Sequence, residues 1–349
     1  MGESTADKKS PNAEEVGTPE DWRRLPLYAS FFGLREAPFD LTPNPRFLFL
    51  TARQREALSQ LSYALSVSRG ITLILGEAGT GKTTLVRTAL TALGDAPVRY
   101  VLVNNPTLGR REFYEYLASE FGLSPAAGES KSRFLLELHE QVAERSASGG
   151  MTGLIVDEAQ SLPYELLEEV RLLGNIETTT TKLLNIILCG QPELAERLNQ
   201  STLRQLKQRV ALRCELAPLT LQETASYVSG RLRVADGVPT EIFTRDAVIA
   251  VHRGSMGIPR TINVICDNAL ITGFAMQTKP LNSAVIEEVC RDFDLTRNEG
   301  ATAALVAEHT TDTARAVTLP ANPDGVEGEE RALFSAMTRP TVRRFSFFS

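Results

Sequence analysis

The chain has 349 residues, of which 42% are hydrophobic, so a sizeable core can form. Its formal net charge of −6 argues against a surface coated in positive charge for nucleic acid, while leaving room for a local basic patch. No apolar run approaches the roughly 18 residues needed to span a bilayer, and the amino terminus lacks the apolar core of a signal peptide. We therefore expect a cytoplasmic protein without a transmembrane segment. Its four widely spaced cysteines are predicted to be buried free thiols: Cys189, Cys214, Cys266 and Cys290.

The two ends of the chain differ in composition from its middle. Residues 1–27 are polar, with prolines and mixed charges, which predicts a disordered leader. Residues 296–349 lose apolar periodicity and gain Ala, Thr, Pro, Gly and Glu, which predicts a flexible tail. Phenylalanine and arginine cluster in residues 331–349, and we interpret this segment either as a peptide that docks on a partner or on anionic lipid, or as ordinary tail composition.

Short apolar runs alternate with helical patterns in the first part of the middle block. The runs predict strands, and the patterns between them predict helices. Uninterrupted apolar strands that alternate with helices indicate a parallel sheet covered on both faces. The predicted strands are Ile71–Leu75, Val98–Val103, Leu154–Val156, Leu184–Leu188 and Val210–Leu216. The predicted helices are Thr83–Leu93, Arg111–Phe121, Ser132–Arg145, Tyr164–Leu173 and Leu203–Gln208.

The strand signal stops at Thr220, and only helical patterns follow. They predict helices at Leu221–Val234, Arg245–His252, Pro259–Gln277 and Ser283–Phe293. The fold class is therefore α/β: a three-layer αβα parallel-sheet domain over residues 28–216, followed by a small α-helical domain over residues 217–295.

A phosphate-binding loop is predicted where the first strand meets the first helix. Its sequence fits G-x-x-x-x-G-K-[ST], in which glycines let backbone N–H groups turn toward a phosphate. Lys82 would contact the β- and γ-phosphates, and Thr83 would offer its hydroxyl to Mg²⁺ at the start of a helix whose dipole favours an anion. The predicted phosphate-binding residues are Gly76, Glu77, Ala78, Gly79, Thr80, Gly81, Lys82, Thr83 and Thr84.

Two carboxylates follow the apolar run Leu154–Val156. The carboxyl ends of parallel strands meet at one edge of the sheet, which is also the edge of the phosphate loop. We expect Asp157 to help hold Mg²⁺ through its water shell, and Glu158 to orient and deprotonate the attacking water. On its own, such a pair is as often the start of a helix.

Two more features fit a hydrolysis site. Gln191 follows the fourth strand and could place its amide near the γ-phosphate, or it could cap the helix after Pro192. Cations cluster around the fifth strand, at Arg204, Lys207, Arg209 and Arg213. They could be a solvated face, or Arg209 or Arg204 could enter a neighbouring subunit's site and stabilise charge on the transferred phosphoryl group.

The order of these motifs resembles that of AAA+ ATPases. The resemblance covers residues 28–295 and is strongest to the general secretion pathway protein A group, whose relatives include pilus-biogenesis and exopolysaccharide-locus ATPases and, more distantly, transposition regulators and origin-recognition ATPases. It is carried by Tyr28–Phe39, the phosphate loop, Leu154–Gln160, Leu172–Thr178, Gly190–Leu194, Gln208-Arg209 and Gly257–Arg260.

The resemblance implies roles for individual residues. Gln191 looks like sensor 1, Arg209 looks like the arginine finger, and Arg260 looks like sensor 2 on a helical lid formed by residues 217–295. Segment Phe39–Ala57 looks like the linker beside the adenine. Arg260 is also a cation at the start of a helix, from where it could reach phosphates when a lid closes, or it could be a surface charge.

The resemblance further implies an ATPase that works with Mg²⁺ at subunit interfaces of a hexamer-like homo-oligomeric ring. Its partner would be a protein of a secretion, pilus or exopolysaccharide machine, which could recruit it to the inner membrane. Secretion proteins of this group commonly continue into a membrane span and a peptidoglycan-binding domain. Neither follows here, so we expect a short, soluble form.

Two other functions remain open from the sequence. The chain could be an ATP-dependent DNA-binding switch similar to the transposition regulators, and steep salt dependence of binding to duplex DNA would favour that reading. It could also be a nucleotide sensor that hydrolyses negligibly, against which the intact Lys82, Thr83, Asp157 and Glu158 argue.

Overall fold

The fold is seen in a computed structural model that describes residues 26–42, 44–67, 70–93, 97–104 and 107–295. Most of the predicted leader at residues 1–27, and the whole predicted tail at residues 296–349 with its Phe/Arg segment, lie outside the described residues.

Five strands lie at the centre of the molecule: β1 (Ile71–Gly76), β2 (Val98–Val103), β3 (Met151–Val156), β4 (Asn185–Gly190) and β5 (Val210–Leu216). They form one sheet in the order β2-β3-β4-β1-β5, in which every strand pair is parallel. β1 and β4 are buried along their whole length, as expected for central strands covered on both faces. The parallel α/β sheet predicted from the sequence is thus confirmed.

Helices connect the strands, and after β5 the described residues form helices only. Several end at residues that favour termination, such as Gly122 in the left-handed conformation, or begin at a capping box such as the one at Thr51. In chain order they are α1 (Ala29–Phe32), α2 (Ala52–Ser66), α3 (Lys82–Ala92), α4 (Arg110–Phe121), α5 (Pro125–Glu129), α6 (Lys131–Ala147), α7 (Tyr164–Leu173), α8 (Pro192–Leu198), α9 (Arg204–Lys207), α10 (Leu221–Val234), α11 (Pro239–Ile242), α12 (Arg245–Ser255), α13 (Pro259–Ala275) and α14 (Ser283–Asp292).

Alternating side chains of the strands build two cores, one on each face of the sheet. Leu154 packs with residues of α4, α6 and α7 on one face, whereas its neighbour Ile155 packs with residues of α2 and α3 on the other. This follows from the period of two along a strand. The result is the predicted αβα layering, with the carboxyl ends of β1, β3 and β4 gathered at one edge.

A third core joins α10, α12, α13 and α14, and the segment from Tyr28 to Phe47 contributes to it. Tyr28 donates its hydroxyl to Asp267 of α13, and the guanidinium of Arg231 donates to the backbone carbonyl of Pro38. The boundary between residues 28–216 and 217–295 stays a prediction. In its packing, however, this amino-terminal segment belongs with the helical part rather than with the sheet.

The cysteines and the lengths of the apolar helices can be compared with the expectations from the sequence. Cys189, Cys214, Cys266 and Cys290 are free and buried, as predicted. Among the residues that the structure describes, there is no helix with both the length and the apolar content needed to cross a membrane.

Candidate nucleotide-binding site

The phosphate loop is a tight connection between a buried strand and a helix. β1 ends at Gly76, and α3 begins at Lys82 with Gly81 as its cap. Gly79 and Gly81 have φ values of 82° and 97°, in the left-handed region that favours glycine. Thr80 is buried and its hydroxyl donates to the carbonyl of Glu77 at 2.8 Å. The glycines therefore stand where the turn requires them, and the exposed Glu77, Ala78 and Thr84 complete the loop and the first turn of α3.

Lys82 is buried at the base of this loop, with 5% of its surface exposed. Its ammonium donates to the backbone carbonyls of Gly76 at 2.8 Å and Glu77 at 3.0 Å. A buried ammonium is costly unless it is partnered. These contacts hold the positive charge inside the loop, where an anionic phosphate would meet it.

Thr83 and Asp157 are brought together although they are far apart in sequence. The Thr83 hydroxyl donates to a carboxylate oxygen of Asp157 at 2.5 Å. Asp157 follows β3, and its backbone N–H donates to Val103 at the end of β2 at 2.9 Å. A hydroxyl and a carboxylate are hard oxygen donors of the kind that Mg²⁺ prefers, together with water and phosphate oxygens. The two side chains therefore fit the predicted magnesium position.

Glu158 adopts an unusual backbone conformation next to this pair, with φ 51° and ψ 38°. Its carboxylate accepts hydrogen bonds from the side-chain amides of Gln160 at 2.6 Å and Gln191 at 3.3 Å. Burial raises the pKa of Glu158, but these two hydrogen bonds and the charge of Lys82 outweigh it, so the pKa lies below its ordinary value. Glu158 is thus ionised at neutral pH, as a proton acceptor must be.

Gln191 lies at the tip of β4, at the cap position of α8. Its side chain makes no capping hydrogen bond there and turns to Glu158 instead. Of the two interpretations that the sequence left open, this geometry favours a site residue over a simple helix cap.

Gln160 is a neighbour of Glu158 to which the sequence analysis gave no role. It donates to the carboxylate of Glu158, and its side-chain oxygen accepts the backbone N–H of Gln191 at 3.1 Å. The residue stands in the motif Leu154–Gln160, two positions after Glu158. Its position, two residues after the predicted base, is the sequence feature that could have indicated a role in the site.

The start of α13 rests on the phosphate loop. The backbone N–H of Arg260 donates to the carbonyl of Gly79 at 3.3 Å, and a Cβ on Gly79 would come within 2.8 Å of the Cβ of Arg260. Gly257, with φ 74°, lets the preceding turn approach Leu219, whose N–H donates to its carbonyl at 2.8 Å. The predicted sensor 2 residue is therefore at the loop, with an exposed side chain.

Comparison with known sequences identifies the family. Residues 66–198 match the family model described as an AAA domain. The chain is 41% identical over 276 residues to general secretion pathway protein A from Aeromonas hydrophila. The chain therefore contains an AAA domain, and over the matched residues it is similar to the general secretion pathway protein A group of AAA+ ATPases. The match covers 78% of this chain and 50% of that relative, so it spans about half the relative's length.

Solved structures share the fold of this AAA+ protein at low sequence identity. The Aeropyrum pernix ORC2 protein, solved in ADPNP–ADP complexes, is 16% identical with a TM-score of 0.56, over 86% of this chain and 83% of that one. A chain of Drosophila ORC bound to DNA is 17% identical with a TM-score of 0.59, over 97% and 82%. At these identities the similarity establishes the fold alone, and it agrees with the predicted fold class.

One predicted site residue of the AAA+ protein lies apart from the others. Arg209 precedes the first residue of β5, and Val210 is paired with Ile71, while the phosphate loop begins at the far end of β1, beside Leu216. This separation is about six residues, or roughly 20 Å along the strands. Arg209 instead lies near Glu177, whose pKa is lowered first by a hydrogen bond from Lys182 and also by the Arg209 charge. It cannot reach the nucleotide site of its own chain.

Proposed function

We propose that this AAA+ protein binds ATP with Mg²⁺ at the phosphate loop and hydrolyses it. The observation that carries the proposal is the hydrogen bond between Thr83 and Asp157, which are 74 positions apart in the chain. It joins the phosphate loop to the end of β3 and so brings Glu158 to the same edge as Lys82. Thr83 and Asp157 would hold Mg²⁺, whose charge would offset that of the phosphates.

The hydrolysis step can be assigned to residues of this chain. Lys82 stabilises negative charge on the β- and γ-phosphates. Glu158 orients a water molecule and accepts its proton while the water oxygen bonds to the γ-phosphorus. The bond from that phosphorus to the bridging oxygen breaks, which leaves ADP and inorganic phosphate. Arg260 at the start of α13, beside Gly79, and Gln191 at the tip of β4, beside Glu158, are suited to sense the γ-phosphate.

Completion of the site by a second subunit is the next part of the proposal. Arg209 is exposed in part and roughly 20 Å from its own phosphate loop, a position from which it can serve a neighbouring copy. A head-to-tail arrangement of copies would close into a ring. By similarity to general secretion pathway protein A, such a ring would drive assembly of a secretion, pilus or polymer-export machine.

The DNA-binding alternative gains little from the described residues. Lys207 donates to the side chain of Asn199 at 2.7 Å, and Arg213 lies 3.4 Å from Glu215 on the same strand. Part of the positive charge of this cluster is thus used within the chain. We therefore propose ATP hydrolysis as the function.

The test is the substitution Glu158→Gln, which keeps the hydrogen-bonding shape and removes the proton acceptor. We expect ATP turnover to fall by about 10²–10⁴-fold, because that is the usual contribution of a general base. Binding of Mg-ATP, measured by calorimetry, should stay close to wild type, whereas Lys82→Ala should lose it. Near-normal turnover by Glu158→Gln would remove Glu158 from the mechanism.

A further inference from the structure

The side chain of Gln160 closes a small ring of hydrogen bonds around the proposed base. Its NH₂ group donates to one carboxylate oxygen of Glu158 at 2.6 Å, and its oxygen accepts the backbone N–H of Gln191 at 3.1 Å. The side-chain amide of Gln191 donates to that same oxygen of Glu158 at 3.3 Å. The carboxylate of Glu158 therefore accepts hydrogen bonds from Gln160 and Gln191, and these two residues are hydrogen-bonded to each other.

The chemistry of these partners permits a single orientation of the Gln160 amide. A backbone N–H can only donate, so it must meet the amide oxygen, and an ionised carboxylate can only accept, so it must meet the NH₂ group. The orientation that faces Glu158 is thus set by the backbone of Gln191 at the tip of β4. Because the backbone of Gln191 fixes this orientation, the NH₂ group of Gln160 holds the carboxylate of Glu158 in one position.

The rest of Gln160 is anchored as well. Its backbone carbonyl accepts a hydrogen bond from Arg197 of α8. The last residue of β4 leaves space for the amide: a Cβ on Gly190 would come within 3.1 Å of the Gln160 side-chain oxygen and 2.6 Å of Leu194. Glu158 itself sits in a left-handed conformation that needs surrounding contacts to persist. Arg197 and the space beside Gly190 thus hold Gln160 next to Glu158.

We propose that Gln160 is a positioning residue, which holds the carboxylate of Glu158 in place to accept the proton of the attacking water and couples it to the tip of β4. The inference rests on the proposed role of Glu158 as the base. Gln160 touches neither nucleotide nor water in this scheme, so its effect passes through Glu158. Alanine at this position removes the donor, and glutamate replaces it with a second carboxylate that repels the first.

The experiment measures ATP turnover and Mg-ATP affinity for Gln160→Ala and Gln160→Glu in the full chain. We expect kcat to fall by about tenfold to a hundredfold, since a misplaced base loses part of the 10²–10⁴-fold that a general base contributes. The dissociation constant of Mg-ATP should stay within about twofold, because neither Lys82 nor Thr83 is altered. Gln222→Ala, an exposed glutamine on α10, is the matched control and should behave as wild type.

A double-mutant cycle separates positioning from general damage to the structure. In the Glu158→Gln background, measured with protein in excess of ATP, adding Gln160→Ala should change the residual rate by less than about twofold, because the group it positions is gone. If Gln160→Ala lowered the rate equally in the wild-type and Glu158→Gln backgrounds, the inference would be overturned. An unchanged kcat in both Gln160→Ala and Gln160→Glu would also overturn it. If Gln160→Ala unfolds, Gln160→Glu carries the test. A wild-type chain without turnover would instead defeat the proposed function itself.

Discussion

Single residues with left-handed backbone mark the points where the phosphate loop meets its surroundings. Gly79 has φ 82° and lies against Arg260, while Gly257 has φ 74° and lies against Leu219. Side chains at such positions are strained even in open space. At Gly79 there is no open space, so both its backbone conformation and the contact with the start of α13 favour glycine.

Gly79→Ala is predicted to weaken nucleotide binding. The new methyl group would lie 2.8 Å from the Cβ of Arg260 and 3.1 Å from Ile258, so either the loop or the start of α13 must shift. We expect Mg-ATP affinity, measured by calorimetry, to fall by about tenfold or more, which corresponds to about 1.4 kcal/mol.

Gly149→Ala provides the matched control for backbone strain. Gly149 has φ 77°, close to that of Gly79, but a Cβ there would meet nothing within 4 Å. Both variants should therefore lose about 1–2 kcal/mol of stability from the left-handed conformation, and Gly149→Ala should bind Mg-ATP as wild type does. Equal affinities for the two variants would contradict the role given to the contact with Arg260.

The elements of the sheet could be predicted from sequence because buried parallel strands are continuous apolar runs. The predicted strands Val98–Val103 and Val210–Leu216 have the observed bounds, whereas β3 begins at Met151, three residues before the prediction. α2 was missed, and its first six residues were placed in the predicted linker Phe39–Ala57. About half of its residues are polar, and its apolar side chains pack against α3, the next helix, and against β5, which lies far away along the chain.

The residues of the candidate site that belong to sequence motifs could be predicted. Lys82, Thr83, Asp157 and Glu158 follow from a fixed spacing and from the shared edge of parallel strands. The left-handed conformation of Glu158 and the ring of hydrogen bonds through Gln160 depend on where α8 and the tip of β4 come to lie. No local pattern in the sequence specifies where α8 and the tip of β4 lie relative to Glu158.

One pair of elements should lose stability in acid. Glu137 of α6 accepts hydrogen bonds from the backbone N–H and hydroxyl of Ser124, at the start of α5, and from Arg133. The hydroxyl of Ser124, Arg133 and the Ser124 N–H together lower the pKa of Glu137 from 4.5 to about 2. Because the folded state has the lower pKa, this contribution is complete above pH 4.5 and is lost as the pH falls toward 2.

Glu137→Gln should therefore flatten the pH dependence of unfolding between pH 4.5 and 2, since one proton fewer is taken up on unfolding. Urea unfolding at several pH values would measure the slope. Glu140→Gln removes the same charge from an exposed position on α6 and is the control. An unchanged slope for Glu137→Gln would show that the Ser124 contacts do not shift this carboxyl.

At the scale of the whole molecule, the site is assembled at one edge of the sheet while Arg209 lies at the other. The phosphate loop, Asp157, Glu158 and Gln191 all follow carboxyl ends of strands, and α13 closes over the loop from the helical part. Since Arg209 cannot cross the roughly 20 Å to its own loop, any role in catalysis requires a second copy. Catalysis through Arg209 therefore depends on assembly, which an experiment with mixed variants can test.

Mixing two inactive variants should restore turnover if Arg209 acts between subunits. Arg209→Ala alone should lose about 10³-fold or more in kcat while keeping Mg-ATP affinity. Glu158→Gln keeps Arg209 but lacks the base. In a random equal mixture of a head-to-tail ring, about one quarter of the sites would combine an intact base with an intact neighbouring arginine, so we expect about one quarter of wild-type turnover per chain. Arg213→Ala, which alters an exposed cation of β5, should need no such rescue. A mixture no more active than its two components, or an Arg209→Ala variant with wild-type turnover, would remove Arg209 from the site.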